Sequence, residues 1–181
     1  EGSVLVNNTV ELNAINTQHY WEISAYAQAD DPVFSLSILE NVIMGNTLDL
    51  GWLKVCLETV EMLAFVNKLS KGLHTKLGEQ GINLSLGQQQ RILLARLMYS
   101  KPQLVFIDEI PNALSEAQSV RIIKRIRVQL EHLTIVLCTH TRSLVYAADI
   151  AVLMHEGAIV DQGPAKELES DSLAFRSLFV E

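Results

Sequence analysis

Apolar and polar positions alternate with two different periods along this chain, and the changes of period predict its elements. Ser3 to Val6 and Ile23 to Gln28 have the character of short strands, with a polar connection between them. From Ser35 to about Met98 the apolar positions recur at helical spacing. Ser37 is placed to cap a short helix through Met44, and Leu50 to Val66 continue the helical pattern. Lys71-Gly72 and Gly78-Glu79-Gln80-Gly81 interrupt it as turns. A regular alternation follows: helix from Gln88 to Tyr99, strand from Leu104 to Ile107, helix from Glu116 to Leu130, strand from Thr134 to Cys138. Such alternation predicts parallel βα units. Ile150 to Met154 and Ala158 to Asp161 then face each other across Glu156-Gly157 as a hairpin. Short helices are expected near Pro164, an acceptable first-turn residue, and near Ser172. The chain shows no internal repeat and no low-complexity segment.

At 181 residues the chain can form one domain with a real core. With 49% hydrophobic and 19% charged residues it is globular in composition. Its apolar stretches fall far short of the roughly 18 residues needed to span a bilayer. Glu1-Gly2-Ser3 has neither the basic start nor the apolar core of a signal peptide. Position 1 is not Met, so the chain is expected to be a piece of a longer polypeptide. A net charge of −7 opposes binding to a phosphate backbone, which needs clustered Lys and Arg. The one basic cluster, Arg121, Lys124, Arg125 and Arg127, follows a helical pattern beside Gln118 and Glu131 and is read as a solvated helix face. Cys56 and Cys138 sit in apolar surroundings without metal-ligand spacing. Both are expected to be reduced core residues in a cytosolic setting.

Candidate chemistry gathers at the ends of the predicted elements. Leu84-Ser85-Leu86-Gly87-Gln88-Gln89-Gln90-Arg91 opens a helix. With Ser85 as its cap and Gly87 in its first turn, several backbone N–H groups point out of an end that carries partial positive charge and suits an anion. Over Ser-x-Gly alone, an ordinary capped helix reads the same way. The run Leu104 to Ile107 ends in Asp108-Glu109, and the run Thr134 to Cys138 ends near His140. An acidic pair and a histidine suit phosphoryl chemistry there, because open α/β sheets bind ligands at the carboxyl ends of their strands. A carboxylate in that place can hold Mg²⁺, usually through water, since the ion dehydrates reluctantly. The bland alternatives are a solvated Asp-Glu, a structural histidine, and a Gln28 that merely ends its strand.

Together these motifs resemble the ATP-binding cassette (ABC) ATPases. The run from Leu84 is similar to their Leu-Ser-Gly-Gly-Gln signature, and Leu104 to Glu109 to their Walker B motif. Cys138-Thr139-His140-Thr141-Arg142 resembles the H-loop, and Gln28 followed by Ala29-Asp30-Asp31-Pro32-Val33-Phe34 the Q-loop. The resemblance implies an α/β, P-loop NTPase-like parallel sheet with helices on both faces. Residues 1–34 and 99–181 would be the α/β catalytic core, and 35–98 an inserted helical subdomain carrying the signature. It implies ATP and Mg²⁺, with Asp108 and Gln28 on the metal, partly through water. Glu109 would polarise the attacking water and His140 would donate to the γ-phosphate. Ser85, Gly87 and Gln88 would contact the γ-phosphate of ATP held by a partner subunit. The implied partners are a second ABC nucleotide-binding domain, identical or different, and the transmembrane domains touched by the segment after Gln28. No nucleic acid is implied. Ser37-Ile38-Leu39-Glu40-Asn41-Val42 resembles the Thr-Ile-x-Glu-Asn-Ile of exporters, and Gly78 to Gly81 the exporter loop before the signature. Both imply an exporter at the cytoplasmic face of a membrane, rather than an importer or a DNA-repair or chromosome-maintenance relative.

The chain departs from the family pattern in three places. Leu86 stands where glycine, which permits close backbone approach, is usual. Pro111-Asn112-Ala113-Leu114-Ser115 replaces Thr-Ser-Ala-Leu-Asp and lacks the aspartate that helps couple the two ATP sites, although Ser115 can still cap a helix. No Gly-x-x-x-x-Gly-Lys-Ser/Thr phosphate loop occurs in the 181 residues. Glu1 to Val6 resembles the strand after the Walker A helix, so the loop is expected ahead of Glu1. A helix start contributes about 0.3–1 kcal/mol, and ~2 in good geometry, whereas millimolar affinity needs about 4 kcal/mol. Alone, the chain is expected to bind ATP very weakly, to hydrolyse none measurably, and to expose apolar surface. Two readings stay open. One is part of an exporter ATPase domain, favoured by the presence of both Glu109 and His140. The other is a degenerate module that completes or regulates a partner's ATP site, favoured by Leu86, Pro111 and Ser115. A DNA-associated ABC ATPase is opposed by the acidic charge and the exporter-like loop.

Overall fold

In the computed structural model, which describes residues 3–6, 9–28, 31–79, 81–109 and 113–179, the chain opens with strands β1 (Leu5–Val6) and β2 (Val10–Glu11), paired antiparallel. Helix α1 (Thr17–Ile23) follows, and then β3 (Ser24–Gln28). The sequence pattern predicts only a polar connection before β3, so α1 is a correction, and Ile23 belongs to it. Asn16 caps α1 by accepting the Gln18 N–H at 2.9 Å, but no residue of α1 is buried. There is no apolar stripe for the sequence to reveal.

The helical stretch contains α2 (Ile38–Ile43), α3 (Leu50–Thr59), α4 (Leu63–Lys68) and α5 (Leu86–Tyr99). Ser37 caps α2 in a capping box with Glu40, and the Ser37 N–H donates to Glu40 Oε2 at 2.8 Å. Asn41, fully buried, ties the preceding segment down. Its Oδ1 accepts the Phe34 N–H at 2.8 Å and its Nδ2 donates to the Phe34 carbonyl at 3.0 Å. Arg96 of α5 then donates to the Asn41 carbonyl at 2.8 Å and stacks over the Phe34 ring. Ile38, Val42, Leu53, Leu57, Ile92 and Met98 pack together in the largest core.

The remaining elements are β4 (Leu104–Asp108), α6 (Glu116–Gln129), β5 (Thr134–Cys138), α7 (Arg142–Val145), β6 (Ala151–His155), β7 (Ala158–Gly163), α8 (Ala165–Asp171) and α9 (Leu173–Ser177). Strands β3, β4 and β5 form a parallel sheet in that order, with Gln28, Asp108 and Cys138 in register at its carboxyl end. Side chains alternate across a strand. Ala27, Val105 and Ile107 enter the core, while Tyr26 and Val136 are exposed on the opposite face. That exposure accords with the expected apolar surface. Cys56 is buried as expected, and burial pushes its thiol up to about 12. Cys138 is not a core residue: it is exposed at the end of an edge strand. Strands β6 and β7 form the predicted hairpin, with Glu156 and Gly157 both at positive φ. A second small core of Leu153, Ala165, Leu168 and Phe175 anchors it.

The helical pattern from Leu50 to Val66 breaks at Glu61, whose φ is +60°. The Glu61 carboxylate accepts from Arg121 at 2.6 Å, Gln118 at 3.0 Å and Arg125 at 3.2 Å, and Arg91 donates to its backbone carbonyl at 3.1 Å. The basic face of α6 is therefore more than a solvated surface: Arg121 and Arg125 clamp the α3–α4 junction, and Arg127 pairs with Asp149 at 2.9 Å. The Arg121 hydrogen bond, helped by Gln118 and Arg125 against partial desolvation, holds the Glu61 carboxyl at about 2, below its ordinary 4.5. A depressed carboxyl contributes stability above its unfolded value and loses it as pH falls toward the folded one. Acid unfolding should therefore show a loss of stability between pH 4.5 and about 2. Glu61→Gln should remove that dependence and lower stability at neutral pH by about 1 kcal/mol. Denaturant titrations of both proteins across that range check this.

Candidate functional site

Because β3 and β4 are parallel and in register, Gln28 and Asp108 reach the carboxyl end of the sheet side by side. The next residue, Glu109, has φ +52°, a backbone state costly for a residue with a side chain. Its N–H donates to the Cys138 carbonyl at 3.0 Å, which fastens the turn to β5. The turned carboxylate meets the histidine beyond β5: Glu109 Oε1 lies 3.3 Å from His140 Nδ1. Both side chains are open to solvent, at 57% and 71% exposure.

Asp108 has a neighbour that the motifs do not reveal. The Tyr26 hydroxyl donates to Asp108 Oδ2 at 3.4 Å. Partial desolvation, then the Asp108 charge and hydrogen bond, push the Tyr26 phenol above its ordinary value. The available signal was strand periodicity, since Tyr26 lies two residues before Gln28 and shares its face. The Gln28 N–H donates to Asp31 Oδ2 at 2.9 Å, and its side chain is exposed. Among the described residues no group of three His, Cys, Asp or Glu could hold a metal ion. Asp108 and Gln28, which end adjacent strands, supply oxygen donors of the kind Mg²⁺ takes beside water and phosphate, and they do not form an all-protein cage.

The start of α5 is a capping box. Ser85 Oγ accepts the Gln88 N–H at 3.3 Å, and Gln88 Oε1 accepts the Ser85 N–H at 2.9 Å. Both side chains and the Gln88 N–H are thus used by the helix itself, and among the described residues the Leu86 and Gly87 N–H groups are the first-turn donors left for an anion. Leu86 is 55% exposed there. Gly87 has a packing requirement: a Cβ on it would lie 2.7 Å from the Ala113 carbonyl oxygen. The helix start thus abuts the loop that follows β4. Ser115 caps α6 as expected, accepting the Gln118 N–H at 3.3 Å.

The structure brings Gln28, Asp108, Glu109 and His140 to one end of the sheet. Ser85, Gly87 and Gln88 share the first turn of α5, and among the described residues no hydrogen bond links them to those four. Glu1, Gly2, Ala29, Asp30, Gln80, Pro111 and Asn112, all parts of predicted motifs, lie outside the described residues. Gln90, which the sequence offers only as part of a motif, is buried beside Gln28 and Glu109.

The family model described as ABC transporter matches residues 1–112. An export ATP-binding/permease protein of Rickettsia bellii is 29% identical over 180 residues, covering 99% of this chain and 31% of that protein. One of Rickettsia typhi is 29% identical over 178 residues, covering 98% of this chain and 31% of that protein. The chain therefore spans under a third of the length of the curated relatives it matches. A structure of a bacterial Atm1-family ABC exporter with ATP bound aligns at a TM-score of 0.88 and 20% identity, over 99% of this chain and 32% of that one. The shared fold is the α/β arrangement that the sequence predicts.

The contact at Gly87 is directly testable. Gly87→Ala forces either α5 or the Ala113 loop to shift and should destabilise the chain by about 1–3 kcal/mol, as overpacking does. Equilibrium unfolding checks this, and an unchanged stability would mean that the approach is looser than the geometry states.

Proposed function

This chain belongs to the ABC transporter family, and from that premise we propose that it serves as the ATP-binding domain of an exporter, coupling ATP hydrolysis at a head-to-tail dimer interface to transport. The observation that carries the reading is the Glu109–His140 pair, 3.3 Å apart beside Asp108 and Gln28. Bound Mg-ATP supplies the γ-phosphoryl group and the countercharge for its oxygens. Asp108 and Gln28 are the residues that would hold the cation, partly through water, and the Tyr26 hydroxyl steadies the Asp108 carboxylate. Glu109 polarises the attacking water and takes up its proton. His140 orients the Glu109 carboxylate and donates to the γ-phosphate.

The exposure of both side chains fits a site that a second ABC nucleotide-binding domain, identical or different, covers. In return Ser85, Gly87 and Gln88 reach the γ-phosphate at the other subunit's site. On this reading residues 1–34 and 99–181 form the catalytic core and 35–98 the helical subdomain. The segment after Gln28 faces the transmembrane domains, and the domain works at the cytoplasmic side of a membrane without nucleic acid. Among the described residues no helix is long and apolar enough to cross a membrane. The names of the relatives, which describe export and a permease, support the exporter reading.

The exposed Leu86 favours a second reading, in which the chain is a non-hydrolysing module that completes or regulates a partner's ATP site. One substitution separates the two. In the native transporter, Glu109→Gln should lower the ATPase kcat by about 10²–10⁴-fold while ATP binding persists. A rate that Glu109→Gln leaves unmoved selects the second reading. The purified 181-residue chain should bind Mg-ATP no better than millimolar in calorimetry, and micromolar affinity would overturn that expectation.

A further inference from the structure

Helix α3 ends in a turn that suits glycine. The Met62 N–H donates to the Leu57 carbonyl at 2.8 Å, and Glu61, the residue just past the cap at Val60, has φ +60°. Glycine is the usual occupant of that position because it adopts a positive φ at little cost. The backbone therefore gives no reason for a glutamate. The ion pairs give only a modest one, since Arg121 and Arg125 are half exposed and such pairs contribute little in water. What is particular to Glu61 is where its contacts lead.

They lead to two separate segments. Toward α5, the Arg91 guanidinium bridges the Glu61 carbonyl at 3.1 Å and the Gly87 carbonyl at 3.0 Å. Toward α6, the Glu61 carboxylate accepts from Gln118 at 3.0 Å and from Arg121 at 2.6 and 3.1 Å. Gln118 is also the residue whose N–H Ser115 caps, so this tie reaches the first turn of α6 and the loop before it. The two segments meet again where Gly87 lies against the Ala113 carbonyl and the Leu114 side chain. The contacts close a ring, joined on one side by Glu61 and on the other by Gly87 and Ala113.

We propose that Glu61 is a positioning residue that fixes the start of α5 against the loop ahead of α6, so that Ser85–Gln88 and Ala113–Ser115 form one rigid edge. That this edge meets a second nucleotide-binding domain rests on the reading given above, whereas the positioning itself does not. The packing at Gly87 sets how near the two segments come, but a packing contact has no preferred direction and lets them slide. Hydrogen bonds are directional and stop the sliding. The ties through Glu61 use carbonyls and side chains only, and they leave the Leu86 and Gly87 N–H groups unused.

The test compares the 181-residue chain with its Glu61→Gly, Glu61→Gln and Arg121→Gln variants. Glu61→Gly suits the turn and removes the carboxylate, and Glu61→Gln keeps an acceptor at the same reach. Arg121→Gln cuts the α6 side of the ring at a residue whose hydrogen bonds go to Glu61 and not to α5. Backbone ¹⁵N relaxation of the unmodified chain should give order parameters of about 0.85 at Gly87, Gln88, Leu114 and Ser115. They should fall toward about 0.6 in both segments in Glu61→Gly and Arg121→Gln, and less far in Glu61→Gln. Asn41 in α2 and Leu153 in β6, outside the ring, should keep their values. Lower stability with both segments still rigid is what a purely structural glutamate predicts, and it overturns the proposal. Loosening confined to one segment, or to the neighbours of position 61, overturns it too, as does an unmodified chain in which Gly87 and Ser115 are already mobile. If a Glu61 variant does not fold, Arg121→Gln, a change at a half-exposed position, decides by the same criteria. No arm uses nucleotide, so failure of the ATPase reading would leave these results intact.

Discussion

Helix α5 is apolar on nearly every side from Ile92 to Tyr99, and a helix of that kind must be enclosed. Helices α2 and α3 enclose one side and β3 lies on another. At its end the Tyr99 hydroxyl bridges the Thr47 carbonyl at 2.9 Å and the Asp49 N–H at 2.7 Å, and Trp52 Nε1 donates to the Tyr99 carbonyl at 3.1 Å. Those bonds fix the loop that launches α3. The other end of the helix emerges beside the loop after Glu109, with Gly87 against Ala113. One burial requirement therefore positions both the core and the approach to the candidate site.

Motif residues meet folding requirements here before any functional one. Ser37 and Glu40 close a capping box, and Asn41 pins Phe34 and meets Arg96. Ser85 and Gln88 close a second capping box. A chain that only had to fold would have reason to keep all of them. Glu109 and His140 differ, because both are exposed and neither packs anything. A left-handed Glu109 costs backbone energy that no buried contact returns. On the proposed reading these two are the residues kept for chemistry rather than for folding.

The sequence made β4, β5, α6 and the β6–β7 hairpin legible to within a residue or two. Their apolar runs are short, buried on one side and bounded by clear turns. Helix α1 was hidden because it buries nothing. The ties at the Glu61 break were hidden because their partners, Arg121 and Arg125, lie some 60 positions away. Cys138 was misjudged because an apolar run does not announce that its strand is an edge. The site divides the same way. Asp108, Glu109 and His140 could be read because they follow strands, and strand ends are where such sheets bind. Tyr26 could not, since it meets Asp108 only through the parallel pairing of β3 with β4.

The openness of the site bears on Leu86. A hydrolytic site surrounded by water gains little from a positioned carboxylate, because bulk solvent weakens every charge interaction in it. On the proposed reading Glu109 and His140 need a covering surface, and that surface is another subunit's helix start. The equivalent start here carries Leu86, whose side chain crowds an approaching phosphate more than a glycine would. Covering a leucine contributes about 1.5–3 kcal/mol when its burial is complete, whereas the helix start offers an anion about 0.3–1 kcal/mol. The substitution thus favours the subunit contact over the phosphate contact. On the proposed reading a chain with Leu86 keeps its subunit contact while its helix start holds the nucleotide less closely.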